Sequence, residues 1–545
     1  MEHEGQATSV RSGHQALERG AWEEAARWFT RAVEDGAGAR AYEGLAWAAW
    51  WANDDAALFR ARERAFHLYR EEGDPVSAAR AAIWLACDHH DFRGEHAVAN
   101  GWYQRARRLL DGVPTAPEHG WLAFHEGAYG LELADDTAGA KRKAAEAAAV
   151  GRAVGLSDLE FLSLALEGLA LVTEGRVDDG MRCLDEASTA ATSGELRDRI
   201  ATTWTLCYLI YACERVRDFD RAAQWCKRMA EVSAQFSFEL GIGVCRAHYG
   251  SVLVLHGEWD RAERELVEAA GALARTRPPA VAESDARLGE LRRRQGRTRE
   301  AAELFARSEP HPLAVLGLAT LALDDGRPAE AAAVAEDLLD ATPDAGLTQR
   351  ADALELLARA RAAMGHVEAG AAAATRLAGI AAAVGTKPLA AMAASATGAV
   401  ALAGGDAAAA RRHLEEAVEL YQRSGLPYEA ACARVELSAA LRRLGRHDAA
   451  AKQAAMADER LVELGAPAAP GPAAAPPAAP ADGLSAREVE VLEVLATGLT
   501  DREIAERLSI SPHTVHRHVS NILAKLGLPS RSAAAAYAAR RGLAR

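Results

Sequence analysis

The sequence predicts an all-α protein in three parts: a stack of antiparallel helix pairs over residues 1–465, a Pro/Ala-rich linker over 466–482 and a four-helix domain over 483–545. Three observations predict this organisation. A pattern of about forty residues recurs through most of the chain. Six prolines fall within the seventeen residues 466–482, and residues that start or stop helices are concentrated in the last sixty residues. Because these signals occupy separate parts of the 545 residues, they predict one long array and one small domain instead of several ordinary domains.

The composition excludes several classes of protein. Half of the residues are apolar, which is too many for a disordered or collagen-like chain. The 63 basic and 77 acidic residues give a formal net charge of -14, which taken alone argues against a polyanionic partner. Only six of the basic residues are lysine, a bias that indicates a GC-rich bacterial genome.

Cysteine usage and apolar runs predict the compartment. The seven cysteines are sparse and never spaced C-x-x-C, so neither a disulfide framework nor a zinc ribbon is predicted, and a reducing cytoplasm fits best. The first residues are polar and lack the apolar run of a signal peptide. We expect no stretch to reach the roughly 18 to 20 apolar residues that span a bilayer, and therefore no membrane partner.

The recurring pattern is a turn residue followed by a small residue at +5, a bulky one at +9 and a small one at +12. Gly20, Ala25, Phe29 and Ala32 form the clearest copy. Positions +5, +9 and +12 share one helix face because they are spaced i, i+4, i+7. Twelve copies, some of them weak, start at Gly20, Asn53, Gly94, Asp135, Gly175, Arg217, Gly257, Gly296, Gly326, Gly365, Gly405 and Gly445.

Segments between the copies, such as 159–171 and 246–255, supply a partner helix, so each unit is an antiparallel helix pair that buries its apolar face only by stacking. The pattern resembles the tetratricopeptide repeat, whose small, aromatic and small positions match Ala25, Phe29 and Ala32. The resemblance covers residues 10–465 in about twelve pairs and implies a TPR-like α-solenoid. The period exceeds the usual ~34 residues, which predicts longer helices or loops.

Aromatic residues concentrate in the first half of the array, since all eleven Trp lie between Trp22 and Trp259. Two interpretations are open. The rings could line a concave surface for a ligand or peptide, or they could pack the repeats together. The second is favoured because aromatics at helical spacing are more often core.

Chemical motifs argue against catalysis. No G-x-x-x-x-G-K-[ST], G-x-S-x-G or H-E-x-x-H occurs, so no ATPase module, enzyme, catalytic residue or cofactor is predicted. One cluster combines carboxylate and imidazole groups: Asp88, His89, His90, Asp91, Glu95 and His96. Adjacent histidines near a helix end usually cap or pair, so no metal site is predicted.

The linker reads APAAPGPAAAPPAAPAD, and its proline density excludes a helix. It predicts a semi-extended spacer of at most roughly 50 Å at about 3.1 Å per residue.

Hydroxyl side chains cap four helices after the linker. The caps are Ser485 with Glu488, Thr500 with Glu503, Ser511 with Pro512, and Ser530. The first two helices start near Ala486 and Asp501, the third stops at Gly527, and the fourth runs through Tyr537 to Arg540.

The third helix separates an apolar face from a polar one. The apolar face consists of Val515, Val519, Ile522 and Leu526, which Ile504, Ala505, Leu508 and Ile510 can cover. The polar face consists of His513, His516, Arg517 and Ser520. With a tight turn at Ser509 and Ile510, this arrangement predicts a helix-turn-helix whose second helix can enter the major groove. His518 shares the apolar face, which favours an interior, hydrogen-bonded histidine over a DNA contact.

Charge agrees with this prediction. All six acidic residues of residues 483–545 precede Arg507, whereas six basic residues and no acid follow from Leu508 onward. A one-sided basic surface is typical of DNA-binding domains.

The run LSAREVEVLEVLATGLTDREIAERLSISPHTVHRHVSNILAKLGLPSR, with 533–543 after it, resembles the LuxR-type helix-turn-helix of bacterial transcription regulators. The resemblance implies base reading by His516, Arg517 and Ser520. It implies phosphate contacts by Thr514, Asn521, Lys525 and Arg531, and a dimer contact at Ala533, Ala534 and Tyr537. The family often has Lys where this chain has His516, so its base preference does not carry over, whereas Arg517 suits guanine.

The sequence therefore predicts a DNA-binding transcription regulator whose array senses a ligand or protein partner and controls the C-terminal domain. Its predicted partners are double-stranded DNA, the effector, RNA polymerase and a second copy of the chain. The alternative is an interaction scaffold with secondary DNA binding. Residues 1–482 carry 54 basic and 71 acidic residues, a net charge of -17, against +3 for 483–545, so the array is able to mask the basic domain.

Overall fold

The computed structural model describes residues 2–236, 242–341, 350–467, 486–496, 499–508, 510–528 and 530–540. Every regular element in these ranges is a helix, which confirms the all-α prediction. The chain divides into two compact units, residues 1–362 with 367–470 and residues 363–366 with 471–545. Most of the predicted linker, from residue 468 onward, and Ser485 lie outside the described residues, so the boundaries at 465 and 482 stay predictions.

The first unit contains 24 α-helices among its described residues. They are α1 (Glu2–Arg19), α2 (Trp22–Glu34), α3 (Ala39–Ala52), α4 (Asp55–Glu71), α5 (Pro75–Arg93), α6 (His96–Leu110), α7 (Pro117–Ala134), α8 (Thr137–Val154), α9 (Ser157–Thr173), α10 (Val177–Ser193), α11 (Arg199–Val216), α12 (Phe219–Phe236), α13 (Ile242–His256), α14 (Trp259–Thr276), α15 (Val281–Arg294), α16 (Thr298–Ser308), α17 (Pro312–Asp324), α18 (Pro328–Ala341), α19 (Ala351–Ala363), α20 (Val367–Val384), α21 (Lys387–Ala403), α22 (Ala407–Arg423), α23 (Pro427–Arg443) and α24 (His447–Leu464). They form the twelve predicted pairs, and in eleven of them the odd-numbered helix packs along the even-numbered helix that follows it. The contact between α19 and α20 is smaller, although a Cβ on Gly370 would lie 3.0 Å from the carbonyl oxygen of Ala358.

Each predicted start of a repeat is the turn between the two helices of a pair. The backbone there is left-handed, with φ between 65° and 87° at the nine glycines. The three starts without glycine keep the same conformation, at Asn53 (φ 59°), Asp135 (φ 48°) and Arg217 (φ 60°). Because an αL residue ends the first helix and lets the second fold back, the pattern begins at this position in every repeat.

The +5, +9 and +12 positions pack between helices as predicted, and Ala25, Phe29 and Ala32 have no exposed surface. The first helix of several pairs has a further fixed position that the turn, small, bulky and small pattern does not include. A glycine stands sixteen residues before the bulky residue, as in Gly250 before Leu266. A Cβ on Gly250 would lie 2.6 Å from Cγ of Leu266, so the two helices approach too closely for any side chain there.

Contacts between distant repeats hold the array together. Nη2 of Arg199 donates to the carbonyl of Glu18 at 2.6 Å. Nη2 of Arg277 lies 2.9 Å from Oδ2 of Asp91. Nη1 of Arg294 lies 2.8 Å from Oε1 of Glu429. Residues up to 186 positions apart in sequence are therefore neighbours within this unit.

The aromatic residues of the first repeats pack on one another, as the packing interpretation predicted. The ring of Trp84 in α5 lies 4.8 Å from that of Trp47 in α3. It lies 6.3 Å from the rings of Trp121 in α7 and Trp204 in α11. Aromatic side chains thus replace, in these repeats, the small residues that join later ones.

The carboxylate and imidazole cluster is used for pairing. Oδ2 of Asp88 lies 2.7 Å from Nε of the buried Arg62. Nδ1 of His89 lies 2.6 Å from Oε2 of Glu95. Nowhere in the described part of the chain are three or more His, Cys, Asp or Glu side chains grouped to hold a metal ion.

Two expectations need correction. The absence of disulfides was wrong for one pair, because Cys207 of α11 and Cys245 of α13 are bonded. Their separation of 38 residues, about one repeat, places them on successive first helices, a relation that a search for short cysteine spacings does not detect.

One helix, α20, is also long and apolar enough to cross a membrane by length and composition. Its Leu377, Ile380 and Val384 are buried within the array, so it packs as an ordinary repeat helix.

Candidate nucleic-acid interface

The described residues of the second unit form four helices at the predicted places: α25 (Ala486–Ala496), α26 (Asp501–Leu508), α27 (Pro512–Leu526) and α28 (Arg531–Arg540). The capping box at α26 is present, since the amide of Thr500 donates to Oε2 of Glu503 at 2.7 Å. At α27, the amide of Thr514 donates to Oγ of Ser511 at 3.1 Å. The caps therefore fix where the helices around the turn begin.

An apolar core orients α27 within this unit. Val515 and Ile522 have no exposed surface and Val519 is 7 % exposed. Ile504 and Ala505 of α26 lie against them in the same core. The amide of Ile510 donates to the carbonyl of Ala505 at 3.0 Å and closes the turn, while Ser509 lies outside the described residues. The predicted helix-turn-helix and its buried face are confirmed.

His518 departs from its prediction. It is half-buried, but its buried Nδ1 has no hydrogen-bond partner among the described residues. The side chain is thus only partly interior, and its Nδ1 does not form the predicted hydrogen bond.

The three predicted base-reading residues lie on the exposed face of α27. The side chain of His516 is 73 % exposed. Oγ of Ser520 donates to the carbonyl of His516 at 3.0 Å, which leaves the hydroxyl lone pairs able to accept a hydrogen bond. Arg517 is exposed and forms no hydrogen bond or ion pair with any described residue. The base-reading roles stay predictions.

The four predicted phosphate contacts divide into two kinds. Thr514 and Asn521 lie on α27 with the base-reading residues, and Oγ1 of Thr514 is 2.7 Å from Oγ of Ser511. Lys525 and Arg531 instead join helices. Nζ of Lys525 donates to Oε2 of Glu488 on α25 at 2.7 Å.

The ion pair between Lys525 and Glu488 matters for stability, because the Glu488 side chain is only 4 % exposed and its buried charge needs a partner. Arg531 pairs with Asp501 and donates from Nη2 to the carbonyl of Leu499 at 2.6 Å, so it ties α28 to the start of α26. Both cations are partly exposed, and a phosphate contact would add to these internal contacts or replace them.

Burial reduces the number of α28 residues that can form the predicted dimer contact. Ala534 has no exposed surface and belongs to the core of its own unit, so its side chain cannot reach a second copy. Ala533 and Tyr537 are half-buried and stay candidates for the dimer contact. The neighbours Ala533 and Ala534 differ because successive side chains of a helix point in different directions, and only that of Ala534 faces the core.

Asp501, which the sequence marks only as the start of a helix, is also a residue of this site. Its Oδ2 lies 3.6 Å from Nδ1 of His516 on α27. Its Oδ1 pairs with Nη1 of Arg531 on α28. One carboxylate therefore links the predicted base-reading face to the helix proposed for dimer contact.

Comparison with known proteins identifies this unit. Residues 482–538 match the family described as bacterial regulatory proteins, luxR family. The transcriptional regulatory protein LnrK of Bacillus subtilis is 50 % identical over 60 residues, 11 % of this chain and 27 % of LnrK. The transcriptional regulatory protein LiaR of the same organism is 46 % identical over 66 residues, 12 % of this chain and 31 % of LiaR. The chain thus spans about a third or less of the length of these relatives.

Two solved structures are similar to this chain at low identity. One is a chain from the crystal structure of the APC/C hetero-tetramer Cut9-Hcn1. The alignment covers 97 % of this chain and 95 % of that chain, with 15 % identity and a TM-score of 0.45. A Rap protein complexed with competence and sporulation factor covers 72 % of this chain and 100 % of its own, with 12 % identity and a TM-score of 0.40. Similarity at this level does not bear on the function of the array.

Proposed function

Residues 482–538 belong to the luxR family of bacterial regulatory proteins, and from that premise we propose that the chain is a sequence-specific DNA-binding transcription regulator. The observation that carries the proposal is the polar face of α27, where Arg517 is exposed and unpaired among the described residues while the opposite face is buried. A helix held in this way can enter the major groove without disturbing its own core.

Each exposed side chain has a chemistry that suits a base edge or the backbone. Arg517 can donate two hydrogen bonds to O6 and N7 of one guanine. The lone pairs of Ser520 can accept from a base amino group. Asn521 and Thr514, on the flank of the same helix, suit phosphate oxygens, which position the protein without reading sequence.

The test compares specific and random DNA. Bound sites are first mapped across the genome, and the full chain is then measured on the strongest site. Arg517→Ala should lose about 1 to 3 kcal/mol on that site and little on random DNA. Arg108→Ala, which removes an exposed arginine of α6 in the other unit, is the matched control. An equal loss on both DNAs would contradict base reading, and a genome without enriched sites would favour an interaction scaffold.

The salt dependence of DNA affinity tests whether the protein binds as a dimer. If two copies, joined through the face of Ala533 and Tyr537, make roughly six phosphate contacts, log affinity should fall with log salt concentration at a slope near -5. A monomer with half as many contacts would give about half that slope.

The array is the proposed controlling element, with RNA polymerase and an unidentified effector as further partners. Its charge of -17 opposes the +3 of residues 483–545, which favours masking of the basic domain until an effector binds. Removing residues 1–482, or cutting a protease site inserted at 468–482 after purification, should raise DNA affinity. Unchanged affinity at matched dimer concentration would exclude masking by the array.

A further inference from the structure

The carboxylate of Asp501 lies between two side chains of the DNA-binding unit. Asp501 is the first residue of α26 and is 30 % exposed. Oδ2 faces Nδ1 of His516 at 3.6 Å, and Oδ1 pairs with Arg531. His516 is the predicted base reader for which the family resemblance supplies no base preference, so its immediate surroundings decide what it can recognise.

A carboxylate only accepts hydrogen bonds, whereas a neutral imidazole has one N–H and one lone pair. A negative charge beside Nδ1 favours the tautomer with its proton on Nδ1, just as an outer carboxylate fixes the tautomer of a metal-bound histidine. The other nitrogen, Nε2, then carries a lone pair. It can accept a hydrogen bond from the amino group of adenine or cytosine, and it cannot donate to the oxygen or N7 of guanine.

We propose that Asp501 is a specificity-determining positioning residue, which holds the imidazole of His516 in the tautomer that reads an amino base in the major groove. The inference rests on the proposed function, because it requires α27 to read bases. It goes further by naming the class of base at one position of the site and the residue that sets it.

Asp501→Asn makes a sharp test because the substitution is nearly isosteric. The amide of the new side chain can donate to Nδ1, which favours the tautomer with its proton on Nε2. His516 would then donate instead of accept, and the preference at its position should shift from adenine or cytosine toward guanine or thymine.

Arg531→Gln separates the two contacts of Asp501. It removes the ion pair that ties α28 to α26 and leaves the carboxylate beside His516. If Asp501 acts by placing His516, this variant should weaken binding and keep the base preference.

The experiment selects bound sequences from a randomised DNA pool with the full chain at pH 8.5, where ordinary imidazoles are neutral. Wild type, Asp501→Asn, Arg531→Gln, His516→Ala and the double variant Asp501→Asn with His516→Ala are compared. We expect the ratio of amino to keto bases at one position to change about fivefold or more for Asp501→Asn, and no further change when it is added to His516→Ala. Glu490→Gln, which removes an exposed acid of α25, is the matched control.

An unchanged base preference in Asp501→Asn, or the same shift in Arg531→Gln, would overturn the proposal. Failure of the proposed function looks different, because then Arg517→Ala and His516→Ala also leave every position unchanged. A second measurement needs no variant of Asp501. In wild type labelled with ¹⁵N-histidine, the His516 signal, assigned by its loss in His516→Asn, should show a protonated Nδ1, and a protonated Nε2 would refute the inference.

Discussion

The aromatic ring of Phe29 occupies the space that a side chain on Gly44 would need, since a Cβ built there would overlap the ring. Gly13 bounds the other side, and its Cβ would lie 2.7 Å from Cε1 of the same ring. Phe29 of α2 therefore fits between α1 and α3, in a slot that exists only because both helices have glycine at the contact. Phe305 of α16 repeats this arrangement with Gly289 and Gly317.

Gly44→Ala should consequently destabilise the first repeats by about 1 to 3 kcal/mol, the usual cost of overpacking a tight core. Urea denaturation followed by tryptophan fluorescence measures it, because every Trp lies between residues 22 and 259. Gly101→Ala is the matched control, since no heavy atom lies within 4 Å of a Cβ at that helical position. It should stabilise by roughly 0.5 to 1 kcal/mol through helix propensity, and equal effects of the two substitutions would argue against the slot.

The contact between Phe29 and Gly44 also shows which features of the fold the sequence predicts and which it does not. The turn, small, bulky and small positions recur, so periodicity alone predicts twelve pairs and the buried face of α2. A glycine inside a helix such as Gly44 signals only a weaker helix, and its purpose appears when Phe29 is placed against it. In the DNA-binding unit, local caps and the apolar face of α27 were predictable. The link from Lys525 to Glu488 was not, because it joins side chains 37 residues apart.

The disulfide between Cys207 and Cys245 should be detectable as a stability difference. It closes a loop across 38 residues, and a bond of this kind typically contributes about 2 to 4 kcal/mol. Adding a reductant should lower the urea midpoint of the array, whereas the Cys207→Ser, Cys245→Ser variant should show no response to reductant. The sulfurs are also countable: denatured protein without reductant should expose five thiols to a chromogenic disulfide reagent and seven after reduction.

Acid should destabilise the contact between α11, α13 and α15. Burial alone would raise the pKa of Glu283, but the charges of His248 and Arg287 outweigh it and lower this pKa to about 2. The same two partners lower the pKa of Glu214 against the effect of burial. Since both pKa values lie below those of the unfolded chain, their stabilisation is complete above about pH 4.5 and is lost as the pH falls toward 2.

The corresponding measurement is the urea midpoint between pH 3 and pH 7. Glu283→Gln should flatten the decline below pH 4.5, because the amide does not titrate. Glu303→Gln, at a position whose side chain is 67 % exposed, should leave the decline as in wild type. A wild-type midpoint that does not change over this range would contradict the role assigned to these carboxylates.

Lys525 should prove to stabilise the DNA-binding unit as well as to contact DNA. Its ammonium group neutralises a carboxylate, that of Glu488, which is only 4 % exposed, and removing one partner of such a pair leaves the other poorly solvated. Lys525→Met in the full chain should lower the stability of this unit by about 1 to 2 kcal/mol. Adding Glu488→Gln to that variant should restore part of the loss, because the neutral amide no longer needs a cation.

Asn521→Ala distinguishes a loss of DNA affinity from the loss of stability expected for Lys525→Met, since Asn521 is exposed on the same helix and no described residue pairs with it. It should weaken DNA binding while stability stays within about 0.5 kcal/mol of wild type. Amide hydrogen exchange of α25 and α27 reports the stability of the unit, and titration of the mapped site reports affinity. If Lys525→Met lowers only affinity, as Asn521→Ala should, then Lys525 acts on phosphate alone and its link to α25 contributes nothing measurable.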